Sequence, residues 1–219
     1  MEQRRTVVVV TGGGPVAPSV IQQLPDGAAV VAADSGVDTA SALGLRIDVV
    51  VGDLDSVSAK GLAAAEAAGA VVKRFPVEKD ATDLELALAE AHAMGATDIV
   101  VVGGDGGRLD HGIANALALA ALPNAAARIS AFLGSARLYV VHGPGSVRIE
   151  GRPGELLTLL PLGGAATGLR TKGLAYALHG EGLDAGTTRG VSNVLTEPSA
   201  VVEVEHGTVL VILPGEEAR

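Results

Sequence analysis

Short apolar runs that each stop at a glycine or an aspartate constrain this chain more than any other feature of its sequence. Residues 6–10 run into Gly12-Gly13-Gly14, and residues 29–33 into Asp34-Ser35-Gly36. Residues 48–51 run into Gly52-Asp53-Leu54-Asp55-Ser56, and residues 98–102 into Gly103-Gly104-Asp105-Gly106-Gly107-Arg108-Leu109-Asp110. A fifth run covers 70–75. Helical signals fall between them. The spacing predicts helices over 16–24, over 58–68 closed by Gly69, and over 80–95 with Leu84, Leu88 and Ala91 on one face. Ile113, Leu117 and Ala120 predict another that ends before Pro123. Continuous apolar strands alternating with helices suit a parallel sheet covered on both faces. Residues 1–138 therefore read as an α/β domain with a mostly parallel, Rossmann-like sheet.

From about residue 129 the helical signals stop. Candidate strands cover 129–133, 138–141, 146–149, 156–160, 200–204 and 208–213, with His206-Gly207 read as a hairpin turn between the last two. This pattern predicts an all-β sandwich over 139–219, with the boundary falling within 134–145.

Composition narrows the classes of function. Only four rings are present, Phe75, Phe132, Tyr139 and Tyr176, so the core is aliphatic and no aromatic platform for stacked bases exists. The formal net charge of −9 repels a phosphate backbone, which argues against nucleic-acid partners. With no cysteine, disulfides, thiolate metal sites and a Cys nucleophile are excluded. No apolar stretch is long enough for a membrane span, and the expectation is a cytoplasmic protein. Walker A, H-E-x-x-H and G-x-S-x-G patterns are all missing.

The aspartates carry the chemistry. Asp34, Asp53, Asp55 and Asp110 each follow the carboxyl end of a predicted strand, and Asp80 and Asp83 open the helix after the fourth. In an open parallel sheet those ends form the ligand crevice. Six carboxylates on one rim repel one another unless a cation sits among them, and oxygen ligands suit Mg²⁺ or Mn²⁺. Taken singly, Asp34-Ser35-Gly36, Asp110 and Asp80-Ala81-Thr82-Asp83 also read as helix caps with acidic first turns. Two aspartates two residues apart, at Asp53 and Asp55, fit that reading least.

Two glycine loops read as phosphate sites. Gly103, Gly104 and Gly107, with Arg108 and a following helix, read as a cradle of backbone N–H groups and a guanidinium fork. Gly12-Gly13-Gly14-Pro15-Val16-Ala17, with Asp34 about twenty residues on, satisfies the dinucleotide fingerprint and supports an alternative, a dinucleotide-dependent oxidoreductase.

The ordered set Ala33-Asp34-Ser35-Gly36, Gly52-Asp53-Leu54-Asp55-Ser56, Lys79-Asp80-Ala81-Thr82-Asp83 and Gly107-Arg108-Leu109-Asp110-His111 resembles the thiamine pyrophosphokinase (thiamine diphosphokinase) family. Gly173-Leu174-Ala175-Tyr176 and Gly190-Val191-Ser192-Asn193 extend the resemblance through the second half. It implies that residues 1–138 are the nucleotide-binding, catalytic domain and 139–219 the thiamine-binding domain, with diphosphoryl transfer from ATP to thiamine and release of AMP, and Mg²⁺ and phosphates held by Asp53, Asp55, Asp80, Asp83 and Asp110, with Asp34 alongside. Asp55, Asp80 and Asp83 are then the catalytic carboxylates. It also implies a homodimer with thiamine between domains of different subunits, a ring at Tyr176 stacked on thiamine, and Ser192 and Asn193 in the thiamine-side turn. Val194 stands where an acidic residue often follows the Ser-Asn pair, and Ile47 where a proline often precedes Asp48. Diphosphoryl transfer to another hydroxymethyl heterocycle, such as a pterin, and a non-catalytic nucleotide-binding module are the remaining alternatives.

Overall fold

The computed structural model describes residues 4–106, 108–121 and 127–215, which fall into two compact units. The first comprises residues 4–115 and 127–134, the second 116–121 and 135–215.

Six parallel strands build the first unit. In chain order they are β1 (Thr6–Val10), β2 (Ala29–Ala33), β3 (Val49–Gly52), β4 (Val71–Arg74), β5 (Asp98–Gly103) and β6 (Arg128–Leu133). In space the order is β4-β3-β2-β1-β5-β6. The chain grows outward from β1 to β4 and then returns to the other side of β1 with β5. After β1 and β5 the chain therefore continues to opposite sides, which marks the switch point where α/β sheets open a crevice. The four valines Val7–Val10 of β1 are at most 1% exposed, which explains why this strand has no alternation of polar and apolar residues. The segment 129–133, where the helical signals stop, is the sixth strand of this sheet, in register with β5 from Asp98↔Arg128 to Gly103↔Leu133.

Helices α1 (Gly36–Ala42), α2 (Ala59–Ala67), α3 (Asp83–Ala93) and α4 (Leu109–Ala121) follow β2, β3, β4 and β5. At seven residues, α1 is too short to show an apolar period, and the sequence marked only its start. The helix expected over 16–24 is a six-residue 3-10 helix, Pro18–Gln23. Ala17 and Leu24 each precede a proline and are extended, as the proline ring requires of its neighbour, so no longer helix fits between them.

α3 begins at Asp83 rather than near Asp80 because Thr82 caps it. The Glu85 amide donates to Thr82 Oγ1 at 3.2 Å, and the Thr82 amide donates to Glu85 Oε2 at 2.8 Å. Thr82→Ala is expected to lower stability by about 1 kcal/mol, read as an earlier urea midpoint with unchanged slope. An unchanged midpoint would show that the cap does not fix the helix start.

The second unit is antiparallel. Its strands are β7 (Ala136–His142), β8 (Gly145–Glu150), β9 (Leu156–Lys172), β10 (His179–Leu183), β11 (Asn193–Val194), β12 (Ser199–Val204) and β13 (His206–Leu213). β9 organises the rest, pairing with β10, β11, β12 and β13. It runs far beyond the expected 156–160. The ladder to β13 slips between Leu162 and Thr167, so Gly163-Gly164 lies in a bulge within the strand. β12 and β13 are not a hairpin. Both run antiparallel to β9, at its later and earlier parts respectively, so the chain passes through Glu205 and His206 without reversing. Leu157, Leu159, Leu169, Leu183, Leu195 and Val202 form the center of an aliphatic core, each at most 1% exposed.

Among the described residues no helix is long and apolar enough to cross a membrane.

Candidate active site

Three of the six rim carboxylates meet. Asp34, Asp53 and Asp83 each present an oxygen, and the three oxygens lie within 4.8 Å of one another. Each arrives from a different element: Asp34 follows β2, Asp53 follows β3, and Asp83 is the first residue of α3. The backbone is shaped to bring them there. Asp34 has a φ of 44° and Leu54 of 65°, conformations that L-residues rarely adopt. Gly52 has a φ of 136°, and a Cβ on it would lie 2.9 Å from Asp83 Oδ1 and 3.3 Å from Asp34 Cβ. Glycine is required there because the two carboxylates close over its backbone.

Lys79 lies against the triad. Its Nζ donates to Asp53 Oδ2 at 2.8 Å and sits 2.8 Å from Asp83 Oδ1. The second contact lacks hydrogen-bond geometry, and Asp83 Oδ1 is buried with no hydrogen-bond partner. The Lys79 bond pulls the Asp53 carboxyl below its usual range. Burial pushes Asp34 up, against the backbone N–H groups of Ser35 and Ser56, and the charges of Asp83 and Asp53 push it further. Burial alone would lower the Lys79 ammonium, but its two carboxylate partners hold it above the usual lysine value. Sequence reasoning passed over Lys79. The available signal was a cation four residues before Asp83 inside an acidic motif.

Asp55, Asp80 and Asp110 stand outside the triad, and all three are exposed. Asp55 accepts the Ser56 hydroxyl at 2.7 Å. Asp80 precedes the Thr82 cap. Asp110 lies in the first turn of α4 and accepts from Nε and Nη2 of Arg108, at 3.2 and 2.6 Å, which lowers its carboxyl to about 2.

The glycine loops pack on each other. The Gly104 amide donates to Gly12 O at 3.0 Å, and the Gly106 amide to Gly13 O at 2.6 Å. A Cβ on Gly104 would lie 2.1 Å from Gly13 O, so this position requires glycine for close backbone approach. Two amides expected to cradle phosphate, those of Gly104 and Gly106, are thus already committed. Gly103 ends β5, and Gly107 lies outside the described residues. Gly12-Gly13-Gly14 leads into the short 3-10 helix instead of an α-helix, so the dinucleotide fingerprint lacks the helix N-terminus that would bind a pyrophosphate.

In the second unit the side chain of Asn193, 5% exposed, grips the backbone of Tyr176. Its Oδ1 accepts from the Tyr176 amide at 3.0 Å and from the Val194 amide at 2.9 Å, and its Nδ2 donates to Tyr176 O at 2.9 Å. Asn193 therefore positions Tyr176 rather than pointing outward. The Tyr176 ring is 71% exposed, while Phe132 packs on the core of the first unit and Tyr139 on that of the second. Ser192 is exposed, with a φ of 59°, and its amide donates to Thr158 Oγ1 at 3.1 Å.

The thiamin pyrophosphokinase catalytic domain matches residues 21–132, and the thiamin pyrophosphokinase vitamin B1 binding domain matches residues 146–209. No curated protein matches the chain by sequence. Among solved structures, thiamine pyrophosphokinase from Bacillus subtilis superposes with a TM-score of 0.83 at 23% identity, covering 97% of this chain and 100% of that one. Thiamin pyrophosphokinase from Geobacillus thermodenitrificans gives 0.76 at 27% identity, covering 97% and 99%. The yeast enzyme gives 0.69 at 16% identity, covering 97% and 86%. Since the two domain matches follow each other in order and together span most of the sequence, the chain belongs to the thiamin pyrophosphokinase family.

Proposed function

We propose that this protein is a thiamine diphosphokinase that transfers the diphosphoryl group of ATP to the hydroxyl of thiamine and releases AMP. The observation that carries the reading is the convergence of Asp34, Asp53 and Asp83 at the carboxyl edge of the parallel sheet, in a chain of this family. An all-oxygen donor set with a buried, hydrogen-bond-free Asp83 Oδ1 fits a hard cation such as Mg²⁺. When bound there, Mg²⁺ neutralises charge on the polyphosphate.

The protein's own part is positioning and charge placement. The thiamine hydroxyl oxygen bonds to the β-phosphorus, and the bond from that phosphorus to the α,β-bridging oxygen breaks, so AMP leaves with that oxygen. A rim carboxylate, among Asp55, Asp80 and Asp83, takes the hydroxyl proton. Asp110 belongs to the same phosphate-and-metal rim, and Arg108, which follows the glycine loop, binds phosphate oxygens. Residues 1–138 form the nucleotide-binding domain and residues 139–219 the thiamine-binding domain, where Ser192 and Asn193 shape the turn beside Tyr176. The protein works as a cytoplasmic homodimer. The apolar stripe Leu109, Ile113 and Leu117 on α4, 79%, 54% and 51% exposed, supports self-association.

A substrate panel tests the reading. Thiamine is expected to be turned over with ATP and Mg²⁺. A hydroxymethyl pterin is expected to give no product, and NAD(H) no binding. Turnover of the pterin alone would replace thiamine as the substrate. Tyr176→Ala is expected to raise KM for thiamine about tenfold, the loss of one stacked ring, and to leave KM for ATP within about twofold. Equal rises in both would remove Tyr176 from the thiamine site.

A further inference from the structure

The triad holds a cation of its own. Lys79 Nζ is 2.8 Å from Asp53 Oδ2 and 2.8 Å from Asp83 Oδ1, two members of the triad assigned above to Mg²⁺. Its side chain is only 13% exposed, and it sits in the loop between β4 and α3 rather than inside an element. Among the described residues its ammonium contacts are those two carboxylates. We propose that Lys79 is a resident counter-cation of the metal-free triad, that it competes with the divalent ion for the same carboxylate oxygens, and that it swings to the phosphates of the bound nucleotide when the ion enters.

Geometry and charge carry this. A divalent ion bonds carboxylate oxygens at roughly 2.0–2.1 Å. An ammonium at 2.8 Å from the same oxygens would lie within a few ångströms of it. At such a separation the repulsion between the ion and the ammonium is several kcal/mol even at an effective dielectric constant of about 20, so the two cations exclude one another. Lysine suits the task, because a point charge on a flexible stem can leave without disturbing its backbone. Without Lys79 or a metal, three carboxylate oxygens within 4.8 Å would face each other unbalanced. The device keeps the rim folded before substrates arrive and weakens metal binding until a nucleotide offers the displaced ammonium a new partner. It adds a positioning role for Lys79, and it rests on the Mg²⁺ reading of the triad.

The test measures Mn²⁺ binding to the nucleotide-free protein by electron paramagnetic resonance. Lys79→Met and Lys79→Gln are each expected to bind Mn²⁺ at least about tenfold more tightly than the wild type, since a competing charge is gone. They are also expected to show a lower metal-free Tm and a larger Tm gain on adding Mn²⁺. In the wild type, acetylation of Lys79 by sulfo-NHS-acetate, read by mass spectrometry, is expected to rise when Mn²⁺ is added. Unchanged or weaker Mn²⁺ affinity in both variants, with binding still lost in Asp53→Asn, overturns the role of Lys79 and leaves the metal site standing. Mn²⁺ binding that survives Asp53→Asn overturns the metal site and the proposal together.

Discussion

Asp53→Asn is expected to lower kcat by about a hundred- to a thousand-fold while the protein stays folded. Asp53 is the triad member whose carboxyl is held ionised by Lys79. Asparagine keeps the shape and still accepts the Lys79 hydrogen bond, so the loop after β3 has no steric reason to rearrange. What disappears is one negative oxygen at the point where three carboxylates converge. Removing one preorganised electrostatic partner from a reaction centre costs rate on that scale. The loss is expected in kcat, with KM for thiamine changed little, because the role proposed for Asp53 is at the phosphates. Steady-state kinetics beside a thermal melt checks this. Near-wild-type kcat in a folded variant would take Asp53 out of the chemistry.

Asn193→Ala is expected to cost about 2–3 kcal/mol of stability and to raise KM for thiamine. The side chain is 5% exposed and satisfies the amides of Tyr176 and Val194 and the carbonyl of Tyr176. Alanine leaves these groups without their partner, and unsatisfied polar groups are the costly outcome of such truncations. The affected strand, β11, has only two residues, which pair with Leu156 and Leu157 of β9. Loss of the grip frees the Tyr176 backbone, so the thiamine effect follows through the tyrosine. A denaturant midpoint and KM for both substrates measure it. If stability falls but KM for thiamine stays fixed, the asparagine serves only the fold.

The first half of the fold was legible because its physics is local. Buried parallel strands must be apolar throughout, and residues 6–10 and 29–33 coincide with β1 and β2. The second half was less so. β9 runs on past the expected 156–160 through a bulge at Gly163-Gly164. His206-Gly207 reads as a turn, yet both flanking strands lie along β9 and the chain never reverses. Such features depend on what a strand pairs with, which no local pattern records. At the site, the sequence placed six aspartates on one edge but could not tell which face each other. Asp34 and Asp83 meet only because Gly52 leaves room between them, and Asp110 turns instead to Arg108 two residues away. The same limit applied to Gly104 and Gly106, whose amides looked free for phosphate until the opposite glycine loop was seen to take them.

In the proposed reaction both outer phosphates of ATP move together to thiamine. Incubating the protein with ATP, Mg²⁺ and thiamine and separating the nucleotides and thiamine esters tests it most directly. Equal amounts of AMP and thiamine diphosphate are the predicted result. ADP as the only nucleotide product, or thiamine left unmodified, would contradict it.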